Sequence, residues 1–179
     1  MILFFGPAGA GKSMQGQLLG MHYGWPWVST GKMLRETENA DIQARLQRGE
    51  LISDDEMYIL LQETFAKQGG DQWILDGFPR TRAQAEWLID HQAQYGYSLD
   101  VAVVLDVSEA EVVARMEARG RSDDTPEAVA ERLRIYREEV TPILDYLTEQ
   151  NVPLARVNGI GRVGAIHDLI DDEVQTHLG

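Results

Sequence analysis

The sequence predicts an α/β fold with a five-stranded parallel sheet and helices on both of its faces. Short apolar or β-branched runs alternate with helix-compatible segments, which is typical of βαβ units. One run, Val-Ala-Val-Val-Leu at residues 101–105, is continuously apolar, as expected for a strand buried on both faces. The five predicted strands are Ile2–Phe5, Trp27–Ser29, Trp73–Asp76, Val101–Val107 and Leu154–Val157.

Local signals place the helices between these strands. Ser53 with Glu56, and Ser108 with Glu111, have the spacing of a capping box at a helix start. A later helical pattern contains Pro142, which predicts a kink or break. The stretch of residues 30–52 lacks a strand pattern, and we interpret it as a helical insertion.

Composition narrows the class of protein. The chain has 179 residues, 44% hydrophobic and 25% charged, which is enough for one domain with a real core. Its net charge of −13 disfavours binding to nucleic acid or to an anionic membrane surface. No apolar run approaches the length of a membrane span, the N-terminus lacks signal-peptide features, and we expect a cytoplasmic protein. With no cysteine, thiolate zinc sites and thiol nucleophiles are excluded.

A glycine-rich loop follows the first predicted strand and precedes a helical pattern through Met14, Leu18 and Met21. This order is the context in which the motif G-x-x-x-x-G-K-[ST] binds nucleoside triphosphates, because backbone N–H groups at the helix start surround the phosphates. The lysine reaches the β- and γ-phosphates, and the hydroxyl can bind Mg²⁺. The motif reads Gly6-Pro7-Ala8-Gly9-Ala10-Gly11-Lys12-Ser13.

A second polar segment follows the strand Trp73–Asp76. Asp76 at the strand end can hold a magnesium-bound water, and Gly77 permits close approach of the backbone to a ligand. Arg80 extends from a turn stiffened by Pro79. The sequence also lacks Asn-Lys-x-Asp, which weakens the case for a GTPase.

Together these motifs resemble the adenylate kinases of the nucleoside-monophosphate kinase family over essentially the whole chain. The matching segments are Gly6–Ser13, Ser29–Arg35, Gly49–Asp54, Leu75–Thr81 with Gln84, and Gly120–Asp124. The resemblance implies a three-layer α/β/α P-loop NTPase fold in which residues 1–179 form one kinase domain. Residues 29–52 would be the insertion that binds the nucleoside monophosphate, and residues 120–124 a minimal lid without structural zinc.

The resemblance implies reversible, Mg²⁺-dependent transfer of the γ-phosphoryl group of ATP to AMP, giving two ADP, in a monomer. It implies that phosphoryl transfer involves Lys12, Arg80, Arg119, Arg121 and Arg132. The residues implied to bind ATP are Gly9, Ala10, Gly11, Lys12, Ser13, Met14, Arg115, Arg119 and Gly161. Those implied to bind AMP are Thr30, Gly31, Arg35, Glu50, Leu51, Ile52, Gly77, Phe78, Pro79, Arg80, Gln84, Arg121 and Arg132. Mg²⁺ would be held by Ser13 and, through water, by Asp76.

Two features bear on which nucleotide is the acceptor and on whether the protein is active. Relatives that use UMP and CMP typically carry Ala and Asn where this chain has Thr30 and Gln84, and Gln84 can pair with the amino group and N7 of adenine. AMP is therefore favoured. The family usually continues the phosphate loop as Gly-Lys-Gly-Thr, whereas this chain has Ser13 and Met14 after the lysine. A UMP/CMP or other nucleotide kinase, and a non-catalytic nucleotide-binding regulatory module, stay open as alternatives.

Overall fold

The computed structural model describes residues 1–37, 39–47, 52–68, 72–120 and 125–178. They contain a five-stranded sheet in which every neighbouring pair is parallel and the strand order is β2-β3-β1-β4-β5. The strands are β1 (Ile2–Phe5), β2 (Trp27–Ser29), β3 (Ile74–Asp76), β4 (Val101–Asp106) and β5 (Leu154–Asn158). The predicted fold class is confirmed, and the predicted strand ends differ by one residue at β3, β4 and β5.

Helices connect the strands and cover both faces of the sheet. The first four are α1 (Lys12–Tyr23), α2 (Thr30–Glu36), α3 (Ala40–Gln47) and α4 (Asp54–Gln68). The others are α5 (Arg82–Asp90), α6 (Gln92–Tyr95), α7 (Glu109–Arg119), α8 (Pro126–Glu149) and α9 (Val163–Leu178). Helices α2 and α3 lie in the stretch that we interpreted as an insertion. Of the predicted lid, only Gly120 lies within the described residues.

The core has two sides because successive side chains of a strand point to opposite faces. On one side, Leu3 and Phe5 of β1 pack with buried residues of α4, α5 and α8. On the other side, Ile2 and Phe4 pack with buried residues of α1 and α9. The result is the predicted three-layer α/β/α arrangement, with the central strand apolar on both faces.

The Ser53 capping box is confirmed in full, and the Ser108 capping box is confirmed in part. The Ser53 backbone N–H donates to Glu56 Oε2 at 3.0 Å, and the Glu56 N–H donates to Ser53 Oγ at 3.4 Å, which forms the reciprocal capping box. Ser108 Oγ accepts from the Glu111 N–H at 3.3 Å, but the Glu111 carboxylate turns to Arg115 instead. The predicted break at Pro142 is wrong, because α8 continues through it and is held beyond it by buried residues that include Leu144 and Leu147.

Two glycines let α1 lie close to the sheet. A Cβ atom on Gly16 would lie 2.8 Å from Cδ1 of Trp27, and one on Gly20 would lie 2.9 Å from the carbonyl oxygen of Trp25. The helix buries Gly16, Leu19 and Gly20, whereas Met21, in its predicted apolar pattern, is 72% exposed. This close packing holds the helix that begins at Lys12 against the strands.

We expect Gly20→Ala to destabilise the protein by about 1–3 kcal/mol, because the backbone oxygen of Trp25 cannot move away as a side chain would. Gly164→Ala in α9 is the matched control, since a Cβ there meets no atom within 4 Å. That substitution should leave the free energy of unfolding unchanged or raise it by up to about 1 kcal/mol. Chemical denaturation measures both, and equal stabilities of the two variants would contradict the packing argument.

Candidate active site

The phosphate loop connects β1 to α1 and carries three glycines at positive φ, the first of which, Gly6, has φ +148°. Gly9 has φ +84° and Gly11 has φ +101°, conformations that side chains other than glycine adopt at a cost. A Cβ on Gly9 would also lie 3.0 Å from Cγ of Met116. The Lys12 ammonium donates to the carbonyl oxygens of Gly6 at 2.6 Å and Pro7 at 2.9 Å. The Lys12 side chain thus folds back onto the first two residues of its own loop.

The end of β3 lies beside this loop because β1 and β3 are paired, with Phe4 opposite Asp76. Ser13 Oγ donates a hydrogen bond of 2.6 Å to Asp76 Oδ2. Asp76 is buried, 3% exposed, at the carboxyl end of its strand. A hydroxyl and a carboxylate side by side are the hard oxygen ligands that Mg²⁺ prefers, and they stand where the sequence placed them.

The carbonyl oxygen of Gly77 joins two further predicted residues. Thr30 Oγ1 donates to it at 2.9 Å from the start of α2, and Arg80 Nε donates to it at 2.8 Å. Gly77 has φ +84°, and a Cβ there would lie 2.7 Å from Thr30 Oγ1. The β2–α2 junction and the segment after β3 are therefore in direct contact.

Both polar atoms of the Gln84 amide are hydrogen-bonded. Its Oε1 accepts from the Arg80 backbone N–H at 2.7 Å, and its Nε2 donates to Asp54 Oδ1 at 2.6 Å. A backbone N–H only donates and a carboxylate only accepts, so these partners fix which way the amide points. Gln84 is 8% exposed, which makes it a buried and oriented group.

Two cavities adjoin at this edge of the sheet and share Lys12, Arg35 and Arg80 among their lining residues. One has a volume of about 330 Å³ and is also lined by the phosphate loop, Asp76 and Arg115. The other has a volume of about 520 Å³ and is also lined by Arg132 and by apolar residues of β1 and α8. The cleft is therefore rich in cations, although the whole chain carries a net charge of −13.

Arg80 lies between these two cavities. Its side chain is exposed to the cleft, yet the surrounding protein removes enough water to lower the pKa of its guanidinium. The nearby Asp76 carboxylate opposes this effect, and the Arg132 cation adds to it. Such a site favours an anionic ligand, because an anion would relieve the repulsion between the two arginines.

The structure brings most of the predicted residues together. Phe78 and Thr30 make contacts within the protein, and four other residues lie wholly or partly outside the described part of the chain. The Phe78 side chain is only 2% exposed and packs edge-on against Tyr58 and Trp87, so its ring lies in the hydrophobic core. The Thr30 hydroxyl is already bonded to Gly77. Glu50, Leu51, Arg121 and the side chain of Arg119 lie outside the described residues.

Of the remaining predicted residues, Gly31 and Met14 line the smaller cavity, whereas Ala10, Ile52 and Gly161 line neither of the two cavities. Ala10 and Gly31 are at the turn into α1 and in the first turn of α2, and Gly161 follows β5 with φ +144°. Ile52 is half-buried just before α4. Met14 lines the smaller cavity and is 54% exposed.

Sequence reasoning missed three residues at the site. Asp54 orients Gln84, and Tyr136 and Glu139 line the larger cavity. Tyr136 stands one helical turn after Arg132, a spacing that could have indicated it. Burial first, and then the Asp106 carboxylate, raise the pKa of Tyr136 to about 12, so its phenol is neutral near pH 7.

A glycine-rich loop at the carboxyl edge of a parallel sheet, facing a strand-end aspartate and several arginines, defines a P-loop phosphotransferase. The sequence model of the family described as "Adenylate kinase" matches residues 4–152. This chain therefore belongs to the adenylate kinase family. It is a nucleoside-monophosphate kinase, which converts ATP and AMP to two ADP.

Similar curated proteins cover nearly the whole chain. "Adenylate kinase" of Synechococcus sp. (strain WH7803) is 36% identical over 171 residues, covering 92% of this chain and 93% of its own. "Adenylate kinase 1" of Nostoc sp. (strain PCC 7120 / SAG 25.82 / UTEX 2576) is 38% identical over 168 residues, with coverages of 88% and 89%. "Adenylate kinase" of Bifidobacterium longum (strain NCC 2705) is 35% identical over 188 residues, with coverages of 99% and 98%.

We expect Gly77→Ala to lower kcat by about 10-fold to 100-fold, because its Cβ would push Thr30 and the backbone beside Arg80 out of position. Gly96→Ala separates this effect from the cost of the backbone conformation alone. Gly96 has φ +71°, but a Cβ there meets no atom within 4 Å. Gly96→Ala should lose only about 1–2 kcal/mol of stability and keep its kcat. Steady-state kinetics and thermal unfolding of both variants check this, and equal kcat values would contradict it.

Proposed function

We propose that this adenylate kinase transfers the phosphoryl group within the cation-rich cleft between the phosphate loop and the segment that follows β3. One observation carries the proposal: Lys12, Arg35 and Arg80 line both adjoining cavities, so a single group of cations faces two nucleotide-sized spaces. The ATP phosphates would lie on residues Gly9–Met14. AMP would lie across the segment from Thr30 to Arg35 and residues Gly77–Arg80.

In this assignment the protein works by positioning and by charge. One oxygen of the AMP phosphate attacks the γ-phosphorus of ATP in line, and the bond from that phosphorus to the β-phosphate oxygen breaks as ADP leaves. The AMP phosphate is mostly dianionic near pH 7, since its second pKa is about 6, and no general base is required. Lys12, Arg80 and Arg132, with Arg119 and Arg121, balance the charge on the transferring group.

Ser13 and Asp76 are the proposed protein ligands of Mg²⁺. Their adjoining oxygens fit the ion, with Asp76 acting through a water molecule. No group of three His, Cys, Asp or Glu within the described ranges is placed to hold a metal, so the nucleotide phosphates would supply further ligands. When bound, Mg²⁺ neutralises phosphate charge and orients the β- and γ-phosphates.

Two segments are proposed as covers that exclude water from the reaction. Residues 29–52 would close over AMP, and residues 120–124 would close over ATP as a short lid without zinc. Closure matters because water competes with AMP for the phosphoryl group.

The cellular location and the oligomeric state of the protein stay predictions. The nucleotides ATP and AMP are the partners, and we propose a monomer that binds neither nucleic acid nor membranes and acts in the cytoplasm. Within the described part of the chain, no helix is long and apolar enough to cross a membrane.

The acceptor assignment predicts a preference for AMP that depends on Gln84. We expect ³¹P NMR to show two ADP formed from Mg-ATP and AMP, with little turnover of CMP or UMP. Gln84→Ala should raise the KM for AMP by about 10-fold and leave the KM for ATP unchanged, because a bidentate pair with adenine contributes about 1–3 kcal/mol.

Gln94→Ala on the exposed surface of α6 is the control for this variant and should behave as the wild type. Preferred turnover of CMP or UMP would overturn the roles of Thr30 and Gln84. Nucleotide binding without any turnover would favour the regulatory-module alternative, with Ser13 and Met14 as the cause.

The magnesium assignment predicts that Ser13→Ala raises the Mg²⁺ concentration needed for half-maximal activity by about 10-fold or more, because a hydroxyl ligand is lost. Ser13→Thr keeps the hydroxyl and should stay close to the wild type. Activity measured against total Mg²⁺ at fixed ATP checks both variants. Identical curves for Ser13→Ala and the wild type would exclude Ser13 as a ligand.

A further inference from the structure

The Arg115 side chain connects two loops at the carboxyl edge of the sheet. Its Nη1 donates to the carbonyl oxygen of Ala10 in the phosphate loop at 3.2 Å. Its Nη2 donates to the carbonyl oxygen of Gly159, after β5, at 2.9 Å. We name this pair of hydrogen bonds the Arg115 bridge. It spans from the central strand β1 to the edge strand β5, across β4.

Glu111 accepts a third hydrogen bond from the Arg115 guanidinium. Arg115 Nε donates to Glu111 Oε1 at 2.7 Å, from one helical turn earlier on α7. An Arg guanidinium is planar, so three bonds to three different elements leave it one orientation. The Glu111 side chain is 37% exposed and that of Arg115 is 26% exposed, which places Glu111 on the solvent side of the pair.

The Glu111–Arg115 ion pair can affect either the stability of the fold or the orientation of the Arg115 guanidinium. The pair is only half-buried, and an i,i+4 pair in contact with water contributes little to stability by itself. Arg115 itself lines the smaller cavity beside the phosphate loop. Holding its guanidinium in advance lowers the ordering cost that would otherwise be incurred when a nucleotide binds.

We propose that Glu111 is a positioning residue for the donor nucleotide. By fixing the Arg115 guanidinium, it keeps the phosphate loop and the Gly159 loop at the spacing that ATP requires. This inference rests on the proposed function, in which the ATP phosphates lie on residues Gly9–Met14, and on the expectation that Gly161, two residues after Gly159, also binds ATP. The acceptor side should be insensitive to Glu111, because Thr30, Arg80 and Gln84 are held by separate hydrogen bonds to Gly77 and Asp54.

The test compares Glu111→Ala, Glu111→Gln, Arg115→Ala and the double variant in the full chain. Glu117→Ala is the matched control, since it removes the same charge from an exposed position on the same helix. Isothermal titration with Mg-ATP in the absence of AMP gives the Kd. Steady-state kinetics give the KM for ATP, the KM for AMP and kcat, and thermal unfolding gives Tm.

Glu111→Ala should raise both the Kd and the KM for ATP by about fivefold, because the cost of ordering the Arg115 side chain is then incurred when ATP binds. The KM for AMP, kcat and Tm should stay within about twofold or a few degrees of the control variant. Glu111→Gln keeps an acceptor oxygen for Nε and should recover most of the ATP affinity. In the Arg115→Ala background, removing Glu111 should have no further effect.

Three results would overturn the inference, and they are distinguishable. If Arg115→Ala weakens ATP binding but Glu111→Ala does not, Glu111 has no positioning role while the donor assignment stands. If Arg115→Ala leaves ATP binding unchanged, the donor assignment of Arg115 fails as well. If Glu111→Ala lowers Tm and raises both KM values equally, its role is structural only.

Discussion

The parallel pairing of β1 with β3 is the constraint on which the site depends. The pairing sets Phe4 opposite Asp76, so the loops that leave the two strands begin side by side at one edge of the sheet. Ser13 can bond Asp76 only because of that register. A slip of one residue would move Leu3 to the face of α1 and α9, which the tightly filled cores on both faces do not permit. The apolar packing on both faces thus fixes the strand register, and the register positions the polar side chains of the site.

The charge distribution shows why an acidic protein can bind two polyanions. The net charge of −13 describes the whole chain, whereas a phosphate interacts mainly with the charges within about 8 Å of it at physiological salt. Lys12, Arg35 and Arg80 line the cleft itself, and Arg132 and Arg115 stand at its two ends. Many carboxylates form ion pairs away from the cleft. Glu131 and Glu138, for example, pair with Arg134 on the exposed side of α8.

The parts of the structure that sequence could predict are those determined by neighbours in the chain. The strands, the phosphate loop and the Ser53 capping box each depend on residues within a few positions. Side-chain partners across the fold could not be predicted in the same way. Glu111 has the spacing of a capping residue, yet its carboxylate bonds Arg115, because a guanidinium held by two distant carbonyls offers it a stronger partner. The resemblance implied that Phe78 binds AMP, and its ring is buried in the apolar core, edge-on to Trp87.

The proposed mechanism needs a rigid wall behind the phosphates and movable covers over them, and the packing of α1 supplies such a wall. Gly16 and Gly20 let α1 lie close against Trp25 and Trp27, so the phosphate loop is backed by a closely packed helix. Helix α3, in the proposed AMP cover, is joined to α4 by the pair of Arg45 with Glu56. Arg45, followed by the Ser53 cap, lowers the pKa of Glu56 to about 2, so the pair stays charged throughout the neutral range. This pair is half-buried, and an ion pair that stays in contact with water contributes little to stability. The contact therefore orients the cover without locking it, which is what a segment that must open for each AMP needs.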